Sequence, residues 1–140
     1  MNSRTPSVSG QPAATVYVVD DDQSMRLALH SFIRSVGLAA QVFDSAADFL
    51  ASADISLVRC LILDMNMPGT SGLALHRQLV ASGRAIPTIL ITGNPDDATR
   101  AEALRQGALC YLCKPFADDD LLAWVNLALG GTGPAGAKPP

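Results

Sequence analysis

Short runs of aliphatic and β-branched residues alternate along this chain with longer stretches in which apolar side chains recur every three or four positions. The short runs fall at 16–19, 41–43, 60–63, 88–91 and 110–112, and their length and residue types predict strands. Helical period occupies 24–36, 46–53, 73–81 and 97–106, with Gly37, Gly83 and Gly107 as stop signals after three of them. A fifth helix is predicted at 118–129, opened by Asp118-Asp119-Asp120 and closed by Gly130-Gly131. Strict alternation of strand and helix predicts right-handed crossovers and an α/β fold, a doubly wound five-stranded parallel sheet with helices on both faces. Leu61-Ile62-Leu63 and Ile89-Leu90-Ile91 are apolar without a break, as strands buried on both sides must be.

Sheets of this kind bind ligands beyond the carboxyl ends of their strands, so the residues that directly follow each run carry the chemistry. Asp20-Asp21-Asp22 follow the first, Asp64 the third, Thr92 the fourth and Lys114 the fifth. Asp22 reads as the cap of the first helix. The other carboxylates, converging on one edge, would repel and take up protons unless a cation neutralised them, and hard oxygen donors point to Mg²⁺ or a similar ion. Near that edge there is no histidine and no serine-histidine-acid set, which excludes a hydrolytic triad. A carboxylate can instead attack phosphorus, provided a metal and a cation balance the charge on the phosphoryl oxygens. Asp64, Lys114 and a divalent ion meet that requirement.

Four segments, Val18-Val19-Asp20-Asp21-Asp22, Leu63-Asp64-Met65-Asn66-Met67-Pro68-Gly69, Ile91-Thr92-Gly93 and Cys113-Lys114-Pro115-Phe116, resemble bacterial response-regulator receivers in order and spacing. The resemblance runs over about 16–129 and implies a flavodoxin-like strand order. It implies Asp64 as phosphoacceptor and Mg²⁺ or Mn²⁺ held by Asp21 and Asp64, by Asp20 through water and by the backbone carbonyl of Asn66. It also implies Thr92 and Lys114 on the phosphoryl oxygens, a cis bond before Pro115, and Thr92 with Tyr111 as the switch pair. The donor is then a sensor histidine kinase or phosphotransfer protein, and the chain is no enzyme beyond its own phosphorylation and dephosphorylation. Output is expected from the fourth helix, fifth strand and fifth helix, where Leu121, Leu122, Trp124, Val125, Leu127 and Leu129 sweep an unusually wide apolar arc suited to a homodimer or another partner.

Composition narrows the reading further. The chain has 140 residues, 49% hydrophobic and 16% charged, with a formal net charge of -3, which suits one globular domain and gives no electrostatic reason for direct nucleic-acid binding. Three cysteines within apolar runs suggest reduced core thiols and a cytoplasmic protein without a membrane span, and Cys110 and Cys113, three apart on a strand, face opposite ways. His30 and His76 read as solvated or partly packed helix residues. Residues 1–14 and 130–140 are expected to be tails around a domain at 15–129. No output-domain pattern follows the fifth helix, so the chain is read as a stand-alone receiver or the front of a longer regulator.

Three other functions fit less well. A flavodoxin-like electron carrier needs a phosphate loop where this chain has acids. An aspartate phosphatase needs a second aspartate where Asn66 stands. A degenerate receiver serving as a scaffold would not need Asp21, Asp64, Thr92 and Lys114 together.

Overall fold

A computed structural model describes residues 15–84 and 86–130. The expected tails at 1–14 and 130–140 lie, apart from Gly130, outside the described residues. In chain order the elements are β1 (Thr15–Val19), α1 (Gln23–Ser35), β2 (Ala39–Phe43), α2 (Ala46–Ser52), a 3-10 turn (Ile55–Leu57), β3 (Leu61–Asp64), α3 (Gly72–Ala81), β4 (Thr88–Thr92), α4 (Asp97–Arg105), β5 (Cys110–Cys113) and α5 (Asp118–Ala128). All strand pairs are parallel, in the order β2-β1-β3-β4-β5. The chain order reverses beside β1, and the neighbouring ends of β1 and β3 are where a doubly wound sheet opens its binding crevice.

Alternation along the strands builds two apolar layers. Val16, Val18, Ile62, Ile89 and Ile91 join Leu29 and Ile33 of α1 and Leu121 and Val125 of α5. On the opposite face Tyr17, Val19, Leu61, Leu63 and Leu90 join Phe49 of α2, Leu75 and Leu79 of α3 and Ala103 of α4. Every residue of β3 and β4 is buried, as their unbroken apolar runs require. On edge strand β2, Gln41 and Val42 are exposed.

Helix ends follow local chemistry. Asp22, Ser45, Ser71 and Asp96 each accept a backbone N–H of the helix that follows. Gly107 lies at φ 98°, which lets the Ala108 N–H turn back to the Ala103 carbonyl at 3.1 Å and satisfy the end of α4.

His76 departs from the expectation of a solvated or partly packed side chain, being only 2% exposed. It shares the inward face of α3 with Gly72, Leu75 and Leu79, and burial lowers its proton affinity, opposed by its hydrogen bond to Gln106. Cys60 and Cys110 are buried, as expected of core thiols, whereas Cys113, at the end of β5, is exposed. Burial pushes Cys60 and Cys110 up to about 12, making them inert core thiols at neutral pH. No helix among the described residues is long and apolar enough to cross a membrane.

Candidate functional site

The parallel register delivers the strand-end residues to one place. Val19 pairs with Leu63, Asp64 with Ile91, and Thr92 with Cys113, so Asp20, Asp64, Thr92 and Lys114 leave the sheet side by side. The Met65 N–H donates to the Ile91 carbonyl at 2.8 Å and the Lys114 N–H to the Thr92 carbonyl at 2.7 Å. These bonds carry the ladder one residue past the strands and hold the functional positions on rigid backbone.

Carboxylate oxygens of Asp20, Asp21 and Asp64 lie within 4.8 Å of one another, with Asp20 and Asp64 buried and Asp21 at the exposed lip. Asp20 Oδ1 accepts the Asp22 N–H at 2.9 Å, whereas its buried Oδ2 has no hydrogen-bond partner. Asp64 Oδ1 accepts the Asn66 N–H at 3.1 Å. Lys114 supplies the nearby cation, its Nζ 3.5 Å from Asp20 Oδ2 and 3.9 Å from Asp64 Oδ1. The Lys114-Pro115 bond is cis, as expected.

Burial is the main reason that the Asp64 carboxyl is held above the usual carboxylate range. The Asn66 N–H pulls it down, the Asp20 charge pushes it up, and Lys114 and Asp21 pull it down. Asp21 is raised too, first by desolvation and then by the Asp64 carboxyl that hydrogen-bonds and repels it. Among the described residues Lys114 is the one cation within 4 Å of these carboxylate oxygens, which leaves the three of them short of positive charge. That deficit, the unpartnered Asp20 Oδ2 and an all-oxygen donor set fit a hard divalent cation.

Thr92 is 1% exposed. Its Oγ1 donates to Asn66 Oδ1 at 2.9 Å and accepts the Asn94 N–H at 3.0 Å. Tyr111 is half-buried against the layer that holds Leu90 and Ala103, and its hydroxyl accepts the Asp96 N–H at 3.4 Å. Its hydroxyl is thus bonded to the loop that Thr92 begins. Beside it a cleft of about 480 Å³ runs between α4, β5 and α5, lined by Arg100, Leu104, Tyr111, Leu112 and Trp124. The wide apolar arc of α5 is covered only in part by the sheet. Leu121 and Val125 are buried, and Leu122, Trp124, Leu127 and Leu129 are half-buried.

Three features of the site were not read from the sequence. Arg26 Nη1 donates to the Asp20 carbonyl at 2.8 Å, tying the acidic loop to α1. Its place six residues after Asp20, on the first turn of a helix, is the signal that a return contact exists. Gly72 packs against the Asp64 backbone, and a glycine directly after the Ser71 cap is its signal. The Asn66 side chain reaches across to Thr92, which only the β3–β4 register reveals.

Comparison with known proteins agrees with this geometry. The response regulator receiver domain family matches residues 16–126. Response regulator protein TodT of Pseudomonas putida is 41% identical over 117 residues, covering 84% of this chain and 52% of that protein. Nodulation protein W of Bradyrhizobium diazoefficiens is 43% identical over 115 residues, covering 82% and 51%. The chain spans about half the length of these curated relatives. Among solved structures, response regulator StyR superposes with a TM-score of 0.79 at 40% identity, covering 84% of this chain and 60% of that one. FixJ-N does so with a TM-score of 0.74 at 35% identity, covering 84% and 94%. With its parallel sheet, its acidic pocket and a family match over most of its length, the chain belongs to the receiver domains of two-component response regulators.

Proposed function

We propose that residues 15–129 form a phosphorylation-operated switch in which Asp64 accepts a phosphoryl group from a sensor histidine kinase or phosphotransfer protein. The observation that carries this reading is a buried Asp64 carboxylate with an ammonium 3.9 Å away and two further carboxylates beside it. An Asp64 oxygen forms the new bond to phosphorus as the donor's P–N bond breaks, and the departing imidazole nitrogen keeps the bonding pair and takes up a proton from water; with acetyl phosphate the P–O bond breaks and acetate leaves as the anion. Asp20, Asp21, Asp64 and the Asn66 backbone carbonyl would hold Mg²⁺ or Mn²⁺, which when bound supplies positive charge for the phosphoryl oxygens. Lys114 balances the remaining charge, and Thr92 offers its hydroxyl proton to one phosphoryl oxygen.

The phosphoryl group adds nearly two negative charges and new acceptor oxygens, which draw Thr92 and its loop inward. Tyr111 is tied to that loop at Asp96, so its ring follows, and the surface of α4, β5 and α5 changes. The cleft beside Trp124 supports this surface as the output face, for a second copy or another partner. Relatives such as the transcriptional regulatory protein FixJ are longer than their match, and we assign this domain itself no direct nucleic-acid contact.

The test is intact-mass spectrometry after incubation with acetyl phosphate, with and without Mg²⁺, and with a phosphorylated kinase as second donor. A metal-dependent gain of one phosphoryl mass, absent in Asp64→Asn, is expected. A folded, Mg²⁺-binding protein that gains no mass from either donor would leave a scaffold role in its place.

The raised carboxyls give a second expectation. Asp21 and Asp64 are held above their ordinary value of 3.8 in the folded state, so without metal the folded protein binds protons more readily than the unfolded chain. Their contribution to stability is fully present below that value and is lost as pH rises through the raised range. A divalent ion competes with those protons and restores stability where they are absent. Mg²⁺ should therefore raise the melting temperature at pH 7.5, with an increment that shrinks steadily as pH falls through the carboxyl range. An increment independent of pH in calorimetry would separate the metal from these carboxylates.

A further inference from the structure

We infer that the Asn66 side chain is a latch on Thr92 that sets how much phosphoryl occupancy is needed to switch the domain, an inference that rests on the Asp64 reading. The Thr92 hydroxyl has one proton to donate, and it is directed to Asn66 Oδ1 at 2.9 Å. The Asn94 N–H, donating to Thr92 Oγ1 at 3.0 Å, orients the hydroxyl from the other side. Both contacts fix the side chain in its resting rotamer, and both partners lie within two residues of functional positions. Asn66 is joined to Asp64 by its own N–H at 3.1 Å, so the latch is attached to the residue that takes the phosphoryl group.

Burial makes the exchange asymmetric. Thr92 is 1% exposed, so its hydroxyl meets little water, and leaving Asn66 without a new acceptor costs it a hydrogen bond. Asn66 is exposed, so its amide is hydrated at once when released. Thr92 therefore leaves only when a better acceptor arrives. A phosphoryl oxygen on Asp64 is such an acceptor, because a charge-assisted hydrogen bond is about twice as strong as a neutral one. Asn66 holds the resting state without blocking the switched one, and it acts on the phosphoryl group only through Thr92. It is a positioning residue.

The experiment compares wild type, Asn66→Ala, Thr92→Val and the double variant. Asn66→Ala keeps the backbone carbonyl and N–H at that position, and it removes an exposed side chain that no core packing depends on. Two quantities are read by NMR: the Thr92 χ1 couplings in the free protein, and the affinity for beryllofluoride with Mg²⁺ as a phosphoryl mimic. Wild type should hold one χ1 rotamer, and Asn66→Ala should average over rotamers. Asn66→Ala should bind beryllofluoride about three- to tenfold more tightly, the range a single neutral hydrogen bond allows. That gain should vanish in the Thr92→Val background, where there is no hydroxyl to release. Unchanged affinity, or equal tightening in both backgrounds, would overturn the latch. Failure of wild type to bind beryllofluoride while its χ1 still responds to Asn66→Ala would instead overturn the Asp64 reading and leave a hydrogen bond without a switching role.

Discussion

Lys114→Ala should slow phosphoryl uptake at Asp64 by about 10²–10³-fold, the loss seen when one fixed charge-stabilising group is removed from a reacting oxyanion. Its ammonium lies between Asp20 and Asp64, 3.5 and 3.9 Å from their oxygens, and its backbone N–H is tied to the Thr92 carbonyl at 2.7 Å. It is therefore held in place before a phosphoryl group arrives, and no reorganisation is needed when charge develops. At about 4 Å and an effective dielectric near 20, one unit charge is worth roughly 4 kcal/mol, enough to account for that loss. A bound divalent ion does not replace it, because the carboxylates already outnumber the positive charges around them. Mg²⁺ affinity should rise in the same variant, since a competitor for Asp20 and Asp64 has gone. Lys114→Arg should recover only part of the rate, because a planar fork cannot occupy the space of a compact ammonium. The measurement is the first-order rate of mass gain with acetyl phosphate at saturating Mg²⁺. A Lys114→Ala rate within threefold of wild type would remove the lysine from the chemistry.

The two opposite changes expected of Lys114 separate charge balance from mere packing, and they also show what the sequence could reveal. A lysine that ends an apolar strand directly before a proline stands out in the chain, as do three aspartates after the first strand, because polar residues interrupt an apolar pattern there. Parallel alternation then brings all of them to one edge, and the register of β1, β3, β4 and β5 agrees. What escaped the pattern depends on distance in space rather than along the chain. Ala39 and Ala40 lie outside the predicted run at 41–43, yet they join β2 because Thr15 and Val16 of β1 pair with them. The 3-10 turn at Ile55–Leu57 is too short to show a period. His76 is buried because α3 lies flat on the sheet, and its polarity disguises a core position. For Tyr111 the family resemblance implied a partnership with Thr92, and its hydroxyl meets Asp96, four residues further on in the chain.

Gly72→Ala should destabilise the protein by about 2 kcal/mol and disturb the acceptor itself, although the substitution ordinarily favours a helix by up to about 1 kcal/mol. The contact decides the sign. A Cβ on Gly72 would run into the Asp64 carbonyl oxygen, with the Asp64 carbonyl carbon at 2.9 Å and Met65 Cα at 3.2 Å. All three are backbone atoms on the end of a fully buried strand, so no side chain can swing aside to relieve them. Either α3 lifts away, exposing part of the layer around Leu75 and Leu79, or Asp64 is pushed toward Asp20 and Lys114. The first route lowers stability, and the second misplaces the nucleophile, for which a shift near 1 Å costs on the order of 10²-fold in rate. Thermal melting should fall by roughly 5–10 °C, and phosphoryl uptake by more than tenfold even at temperatures where the variant is folded. Gly93→Ala is the matched control for stability, since nothing lies within 4 Å of the added atom, and it should melt within about 0.5 kcal/mol of wild type. A Gly72→Ala variant as stable and as reactive as the parent would mean that α3 can withdraw freely from Asp64, and that the acceptor is held in position by the sheet alone.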